Sequence, residues 1–195
     1  MKISNGAEAN VYRSNMLGIN CIVKARQKKA YRAALLDNEI REQRTRTEAR
    51  ILALARRQGI NTPSLLLVSK YNITMEFIDG KLLSEITNDK YMGDAGIMLG
   101  SLHNNNIAHG DFTPANIMLS NDKLWVIDFG LSEITESIES KALDLLLMKR
   151  SIKPINFKRF LLSYKKSSKE HKSITAKLKE LEMRGRYQNR TLENL

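Results

Sequence analysis

The chain has 195 residues, of which 42% are apolar, and it carries 32 Lys plus Arg against 21 Asp plus Glu, a formal net charge of +11. That is enough chain for one domain, or one domain of two small lobes, and the composition excludes a wholly disordered protein. No apolar run approaches the roughly 20 residues needed to span a bilayer, and the lone Cys21 excludes an internal disulfide.

No ligand spacing joins Cys21 to His103, His109 or His171, so a zinc site is not expected. No hydrophobic stretch follows Lys2, so no signal peptide is expected, and a reducing, cytoplasmic compartment fits. The charge is unevenly placed. Lys149 to Arg190 holds 14 basic and 3 acidic residues, and the rest is balanced at 18 of each. A neutral body with a basic C-terminal quarter suggests a polyanion partner, RNA first, although a solvated amphipathic face has the same composition.

In chain order, Ile19–Lys24 alternates as a strand. Residues 30–58 read as one helix without Gly or Pro, stopped by Gly59 and Pro63. Ser64–Ser69 and Asn72–Phe77 read as two strands turning at Lys70-Tyr71, and Asp79-Gly80 as a turn. Residues 81–105 read as mostly helical with a break near Thr87–Asp89. Ile117–Leu119 and Leu124–Ile127 form a hairpin around Asn121-Asp122. From about Ser137 onward the chain reads as helices, interrupted at Pro154 and at Ser167-Ser168. The layout is α+β, with a β-rich N-lobe over residues 1–78, a helical C-lobe over 79–190 and a basic tail over 184–195.

The chemistry sits in His109-Gly110-Asp111, in Asn116 five residues later, and in Ile127-Asp128-Phe129-Gly130. Each piece alone is a common turn. In this order, separated by strand-forming residues, they look like the catalytic loop and magnesium-binding DFG of a protein kinase. Phosphoryl transfer needs positioning and charge neutralisation more than covalent help. Asp111 would orient or deprotonate the attacking hydroxyl or water. Asn116 and Asp128 would hold Mg2+, a hard cation that takes oxygen ligands. Phe129 would pack on His109. Upstream, Lys24 ends a strand and would contact nucleotide phosphates while pairing with a helix glutamate. Glu48 is preferred for that pairing, with Leu52 and Ala55 on the same face, and Glu39 and Glu42 compete. Met75, Glu76, Phe77 and Ile78 would form the hinge that holds adenine, with Met75 at the back of the pocket. The stretch Gly6-Ala7-Glu8-Ala9-Asn10-Val11 stands where a kinase carries GxGxxG, with one glycine instead of three.

The segments Gly6–Tyr12 (GAEANVY), Arg44–Arg50 (RTRTEAR), His109–Leu119 (HGDFTPANIML), Ile127–Gly130 (IDFG), Lys141–Arg150 (KALDLLLMKR) and Arg184–Arg190 (RGRYQNR) together resemble one family from Ser4 to Arg190. It is the small atypical kinase of the KEOPS (EKC) complex, called PRPK in animals. The resemblance implies a reduced two-lobe protein-kinase-like fold whose truncated helical C-lobe lacks a full activation segment. It implies ATP and Mg2+ as cofactors and activity as an ATPase and atypical serine/threonine kinase. It also implies support of threonylcarbamoyladenosine formation in tRNA by a TsaD-like partner, alongside other KEOPS subunits. In some archaea the two are fused, so the chain is either a whole protein or a domain of one.

The residues themselves add to this. Only 65 residues follow Gly130, and 16 positions separate Asp128 from Asp144 with no APE motif. No peptide platform fits in that space, which favours water, the enzyme itself or a tightly held partner as acceptor. Asp144 is expected to brace the catalytic loop from below. Gly110 replaces the arginine that pairs with a phosphorylated activation loop, and Thr113 replaces a lysine that faces the γ-phosphate. Arg184, Arg186 and Arg190 flank Tyr187, a pattern suited to tRNA phosphates and an unpaired base, with Gly185 keeping the segment flexible. A second basic run, Lys24 to Arg57, includes Arg26, Lys28, Lys29 and Arg32. Aminoglycoside and choline kinases share HGDxxxxN but need a larger helical lobe. RIO kinases are set apart because their magnesium loop lacks DFG. A scaffold that binds tRNA and keeps ATP as a structural ligand is the alternative from another class.

Overall fold

The computed structural model describes the backbone of residues 2–5, 9–86 and 89–192, and the side chains of 9–86 and 89–184. Strands β1 (Lys2–Asn5), β2 (Ala9–Met16), β3 (Ile19–Arg26), β4 (Leu65–Val68) and β5 (Asn72–Glu76) form an antiparallel sheet of order β1-β2-β3-β5-β4. Strand β3 is central, so Ile22, Lys24 and Arg26, spaced by two, share one face.

Helix α1 (Ala34–Arg57) lies between β3 and β4 in sequence and packs on the sheet. Its buried stripe runs Thr45, Glu48, Ala49, Leu52 and Ala55, the spacing of one helical face. It starts four residues later than the expected position 30. Asp37 is the reason: its fully buried carboxylate accepts from the Lys29 amide at 3.2 Å and from Arg41 Nε at 2.8 Å. That holds the preceding segment as turn rather than helix.

The expected helix over 81–105 divides. Lys81–Leu82 forms strand β6, turns of 3₁₀ helix cover Leu83–Glu85 and Asp89–Tyr91, and only Met92–Asn104 is α-helix, α2. Pairing of Lys81 with Leu119 and of Leu82 with Met118 claims the first two residues for a sheet. Strand β7 (Ile107–Ala108) follows, then β8 (Ile117–Ser120) and β9 (Lys123–Val126). The β8–β9 turn places Asn121 and Asp122 at φ 49° and 55°, as a two-residue hairpin of its kind requires.

Strand β10 (Glu133–Ile134) pairs with β7, and α3 (Ile138–Ser151) begins almost at once, so no activation segment intervenes. Helices α4 (Pro154–Ser167) and α5 (His171–Leu192) complete the helical part. Helices α2 and α4 approach backbone to backbone: a methyl on Gly96 would overlap the Phe160 carbonyl, and one on Gly100 the Ser167 hydroxyl. Phe112, Phe129, Phe160, Tyr164, Leu99, Leu102 and Leu145 fill the core beneath the loops that carry the polar residues. Among the described residues no helix is long and apolar enough to cross a membrane. The backbone of α5 stays helical through Gly185 to Leu192, which replaces the flexible segment expected there. The neighbouring Lys, Leu, Glu, Met and Arg are good helix formers and offset a single glycine's cost of about 1 kcal/mol.

Candidate active site

A cleft of about 360 Å³ opens between the sheet and the helical part. Its upper wall is Val11, Ile22 and Lys24 from the sheet with Glu48 from α1, and its floor is Asn116, Met118, Ile127 and Asp128. Met75, Glu76, Phe77 and Ile78 close one side. The Glu76 and Phe77 amides donate to the Ser64 and Asn20 carbonyls at 2.9 and 3.1 Å, which pins that connection to the sheet.

Lys24 Nζ donates to Glu48 Oε1 and to Asp128 Oδ1, both at 2.6 Å. Of the three competing glutamates, Glu48 is therefore the one the fold brings to Lys24. Glu39 lies elsewhere on α1, and Glu42 faces Arg46 and Lys70. The second Glu48 oxygen accepts from Arg26 Nη2 at 2.5 Å. Glu48 is 2% exposed and Arg26 5%, so the pair is buried. Arg26, counted in the second basic run, is thus an interior charge held on Glu48. Its place two residues after Lys24, on the same face of β3, is the signal that could have found it.

Asp111 and Asn116 come together through the amide: Asn116 Nδ2 donates to the Asp111 carbonyl at 2.9 Å and to Asp111 Oδ2 at 2.8 Å. The Asn116 amide oxygen is thereby left as an acceptor at the cleft. Asp128 sits at φ 60°, a left-handed conformation that turns its carboxylate back over its own loop, where Oδ1 accepts from the Gly130 amide at 3.0 Å. Burial works to raise the Asp128 pKa. The Lys24 charge and hydrogen bond, the Gly130 amide and His109 outweigh it and hold the carboxyl below its ordinary range. The Asp128 carboxylate and the Asn116 amide oxygen, both on the cleft floor, offer oxygen donors and no soft ligand, which fits Mg2+.

The His109–Asp111 loop is held from beneath by Asp144. Its carboxylate accepts from the His109 amide at 2.7 Å, the Gly110 amide at 2.8 Å and His103 Nε2 at 3.2 Å. The His103 ring also meets the Tyr164 hydroxyl at 2.8 Å. Burial lowers the pKa of both His103 and His109 against the opposing pull of Asp144, so both are neutral at pH 7. The His109 ring lies 5.1 Å from the Phe129 ring and its Nε2 meets the Ile127 carbonyl at 3.1 Å, tying the two motifs together. Gly110 adopts φ 78°, and any Cβ there would collide with the Leu131 carbonyl. The position of the missing arginine therefore cannot carry a side chain without rebuilding the loop.

Other expected site residues fall differently. Ala9, Asn10 and Val11 open β2 and pair with Arg26, Ala25 and Lys24, while Gly6, Ala7 and Glu8 lie outside the described residues. Arg184 is exposed on α5, 3.6 Å from Glu139, and the side chains of Arg186 and Arg190 lie outside the described residues. Ile22, Leu82 and Met118 also line the cleft and were not singled out as site residues in the sequence. They are ordinary apolar residues whose strands, rather than their types, place them there.

Residues 11–173 match the RIO domain family. The chain is 40% identical over 195 residues to a probable bifunctional tRNA threonylcarbamoyladenosine biosynthesis protein of Methanobrevibacter smithii, covering 95% of this chain and 36% of that protein. It is 35% identical to KEOPS complex subunit Bud32 of Pyrococcus abyssi, covering 97% of both. With EKC/KEOPS complex subunit bud32 of Dictyostelium discoideum it shares 37%, over 94% of this chain and 82% of that one. The chain spans about a third of the length of the bifunctional relatives. Among solved structures, Rio2 kinase of Chaetomium thermophilum in an ADP/Mg2+-phosphoaspartate complex superposes with TM-score 0.67 at 14% identity, over 92% of this chain and 70% of that one. WaaP in complex with acyl carrier protein gives TM-score 0.62 at 15% identity, over 93% and 87%. Both are likenesses of fold, a reduced kinase-like one. The RIO match also corrects the separation drawn from RIO kinases. An intact Ile127–Gly130 motif does not place a chain outside that domain family, because the fold depends on the shared core around the motif.

Proposed function

We propose, for a chain that belongs to the RIO domain family and within it to the Bud32-type KEOPS subunits, that it is an ATP- and Mg2+-dependent ATPase and atypical serine/threonine kinase. In this reading it supports threonylcarbamoyladenosine formation in tRNA through a TsaD-like partner, encoded separately or fused to it. Other KEOPS subunits and tRNA complete the assembly, in the cytoplasm. The observation that carries the proposal is the convergence of Lys24, Glu48, Asp128 and Asn116 on one cleft, with Asp111 hydrogen-bonded to Asn116 at its edge.

Bound Mg2+ would supply charge neutralisation across the nucleotide phosphates. The chain's own residues do the rest. Asp128 and Asn116 would hold the ion through oxygen. Lys24 would turn from Asp128 to a phosphate oxygen when nucleotide enters. Asp111, oriented by Asn116 Nδ2, would accept the proton of an attacking water or hydroxyl. Asp144 keeps the loop carrying Asp111 in register through two main-chain amides. Met75 to Ile78 would hold adenine against the sheet. With Thr113 where a lysine would face the γ-phosphate, and no peptide platform after Gly130, hydrolysis or transfer to a bound partner is favoured over transfer to free peptides. The basic α5, with Arg184, Arg186 and Arg190, would contact tRNA.

The test is modification of tRNA by the reconstituted assembly containing wild-type chain or Asp128→Ala. Loss of threonylcarbamoyladenosine with the variant, while the assembly still forms, supports the reading. Full modification by an assembly containing Asp128→Ala would favour the scaffold, with ATP as a structural ligand.

A further inference from the structure

Helix α4 carries an outward face that neither the cleft nor the core uses. Its inward face is Asn156, Phe157, Phe160 and Tyr164, all buried. The opposite face repeats with a period of seven: Ile155, Lys158 and Arg159 recur as Leu162, Lys165 and Lys166. At about 100° per residue, Ile155 and Leu162 fall on one line along the helix. Arg159 and Lys166 flank that line on one side, and Lys158 and Lys165 flank it on the other. All six side chains are exposed, Ile155 at 59% and Leu162 at 53%.

The charge on this face is uncompensated. Helix α4 contains no acidic residue, and among the described residues none of its four cations makes an ion pair. The face between α3 and α5 is built the other way. There Lys149 pairs with Glu182, and Lys177 pairs with Glu139 at 3.0 Å and Glu180 at 3.2 Å. A helix face that only meets solvent intersperses both signs, whereas a positive face without counter-charges attracts an anionic partner.

Nucleic acid and an acidic protein surface both meet that electrostatic requirement. The line of Ile155 and Leu162 decides between them. Phosphates reward cations, and unpaired bases reward aromatic side chains. The aromatic residues of α4 are all turned inward. A phosphate backbone gains nothing from two exposed aliphatic side chains at the centre of its contact. An amphipathic helix of opposite charge does gain. Its own apolar residues, repeated every seven positions, cover Ile155 and Leu162, and its carboxylates on either side meet the two rows of cations. That is how flanking charges select a partner in paired helices.

We propose that the outward face of α4 is a docking surface for an acidic amphipathic helix of a partner protein. The inference goes beyond the cleft and does not depend on its taking ATP. So short a face buries less area than a stable complex needs, so by itself the contact is weak.

The experiment uses the full chain and a labelled helical peptide with Leu at the core positions of each heptad and Glu flanking them. A second peptide has Gln in place of Glu, a third has Lys there, and an RNA hairpin matches the net charge of the first. Binding is read by fluorescence anisotropy. The acidic peptide is expected to saturate with Kd of about 100 μM or tighter, and the Gln peptide to bind about ten-fold more weakly. Ile155→Gln with Leu162→Gln, which keeps helix propensity, should weaken the acidic peptide about ten-fold and leave the RNA hairpin within about two-fold. Lys158→Glu with Lys165→Glu should lose the acidic peptide and gain the Lys peptide, an exchange that damage to the fold does not produce.

No saturable binding of the acidic peptide, or binding that ignores both pairs of substitutions, overturns the proposal and leaves α4 a solvated face. An RNA hairpin that binds more tightly than the acidic peptide, and is lost on Lys158→Glu with Lys165→Glu, overturns it as well by making α4 a nucleic-acid surface.

Discussion

Lys24 Nζ stands 2.6 Å from Asp128 Oδ1, so a single charge ties the central strand of the sheet to the Asp128–Gly130 turn of the helical part. Replacing Lys24 with Met removes that tie and one of the two cations on Glu48. Hydrogen bonds to charged groups are worth about 1.5–3 kcal/mol, and Arg26 keeps Glu48 paired, so the expected loss of stability in urea denaturation is about 1–3 kcal/mol rather than collapse. The rise in Tm on adding Mg·ATP should shrink or vanish, since no other cation among the described residues that line the cleft faces the phosphates.

Asp144 is fully buried and accepts two main-chain amides and His103. Asp144→Asn keeps the shape but turns one acceptor into a donor facing an amide. The expected cost is about 2–4 kcal/mol, seen as a lower denaturation midpoint at unchanged slope. Turnover should fall further than stability alone explains, because Asp111 follows Gly110 directly.

Gly110 combines φ 78° with no room for a Cβ beneath the Leu131 carbonyl. Gly110→Ala is expected to cost about 1–3 kcal/mol from strain, read as a drop in Tm, with the larger effect on ATP turnover. Gly110→Arg should not create a response to loop phosphorylation.

The pH dependence follows from two buried histidines. His103 and His109 have folded pKa values below the ordinary 6.5, because burial disfavours the imidazolium. Below about pH 6.5 the unfolded chain takes up protons that the folded chain does not, so unfolding gains. Their contribution is fully present above about pH 6.5 and is lost as pH falls toward the depressed folded values. Tm should be flat from pH 8 to 7 and fall between pH 6.5 and 5. His103→Gln should lower Tm at pH 7.5 but flatten that fall, with His109 supplying the remainder.

The kinase-like signature was legible because its residues are separated by strands and turns that the sequence also announces. Asn121-Asp122 is a hairpin turn by composition and by dihedral, and His109, Asp111, Asn116 and Asp128 lie on either side of that hairpin. Glu48 over Glu39 and Glu42 followed from helical spacing toward Leu52 and Ala55. What escaped depends on long-range pairing. Lys81-Leu82 looks helical until β8 claims it, and Arg26 looks like surface charge until α1 delivers Glu48 across 22 residues. Helix α5 passes through Gly185 because its neighbours decide, not the glycine.

The central claim is that Asp128 serves Mg2+-dependent ATP turnover. The most direct measurement is ADP release from Mg·ATP by wild type and by Asp128→Ala, alone, with tRNA, and with the TsaD-like partner plus tRNA. The account predicts turnover that requires Asp128 and Mg2+ and rises with partner and tRNA. ADP release that is the same for both proteins under all three conditions, with ATP still bound, would contradict it.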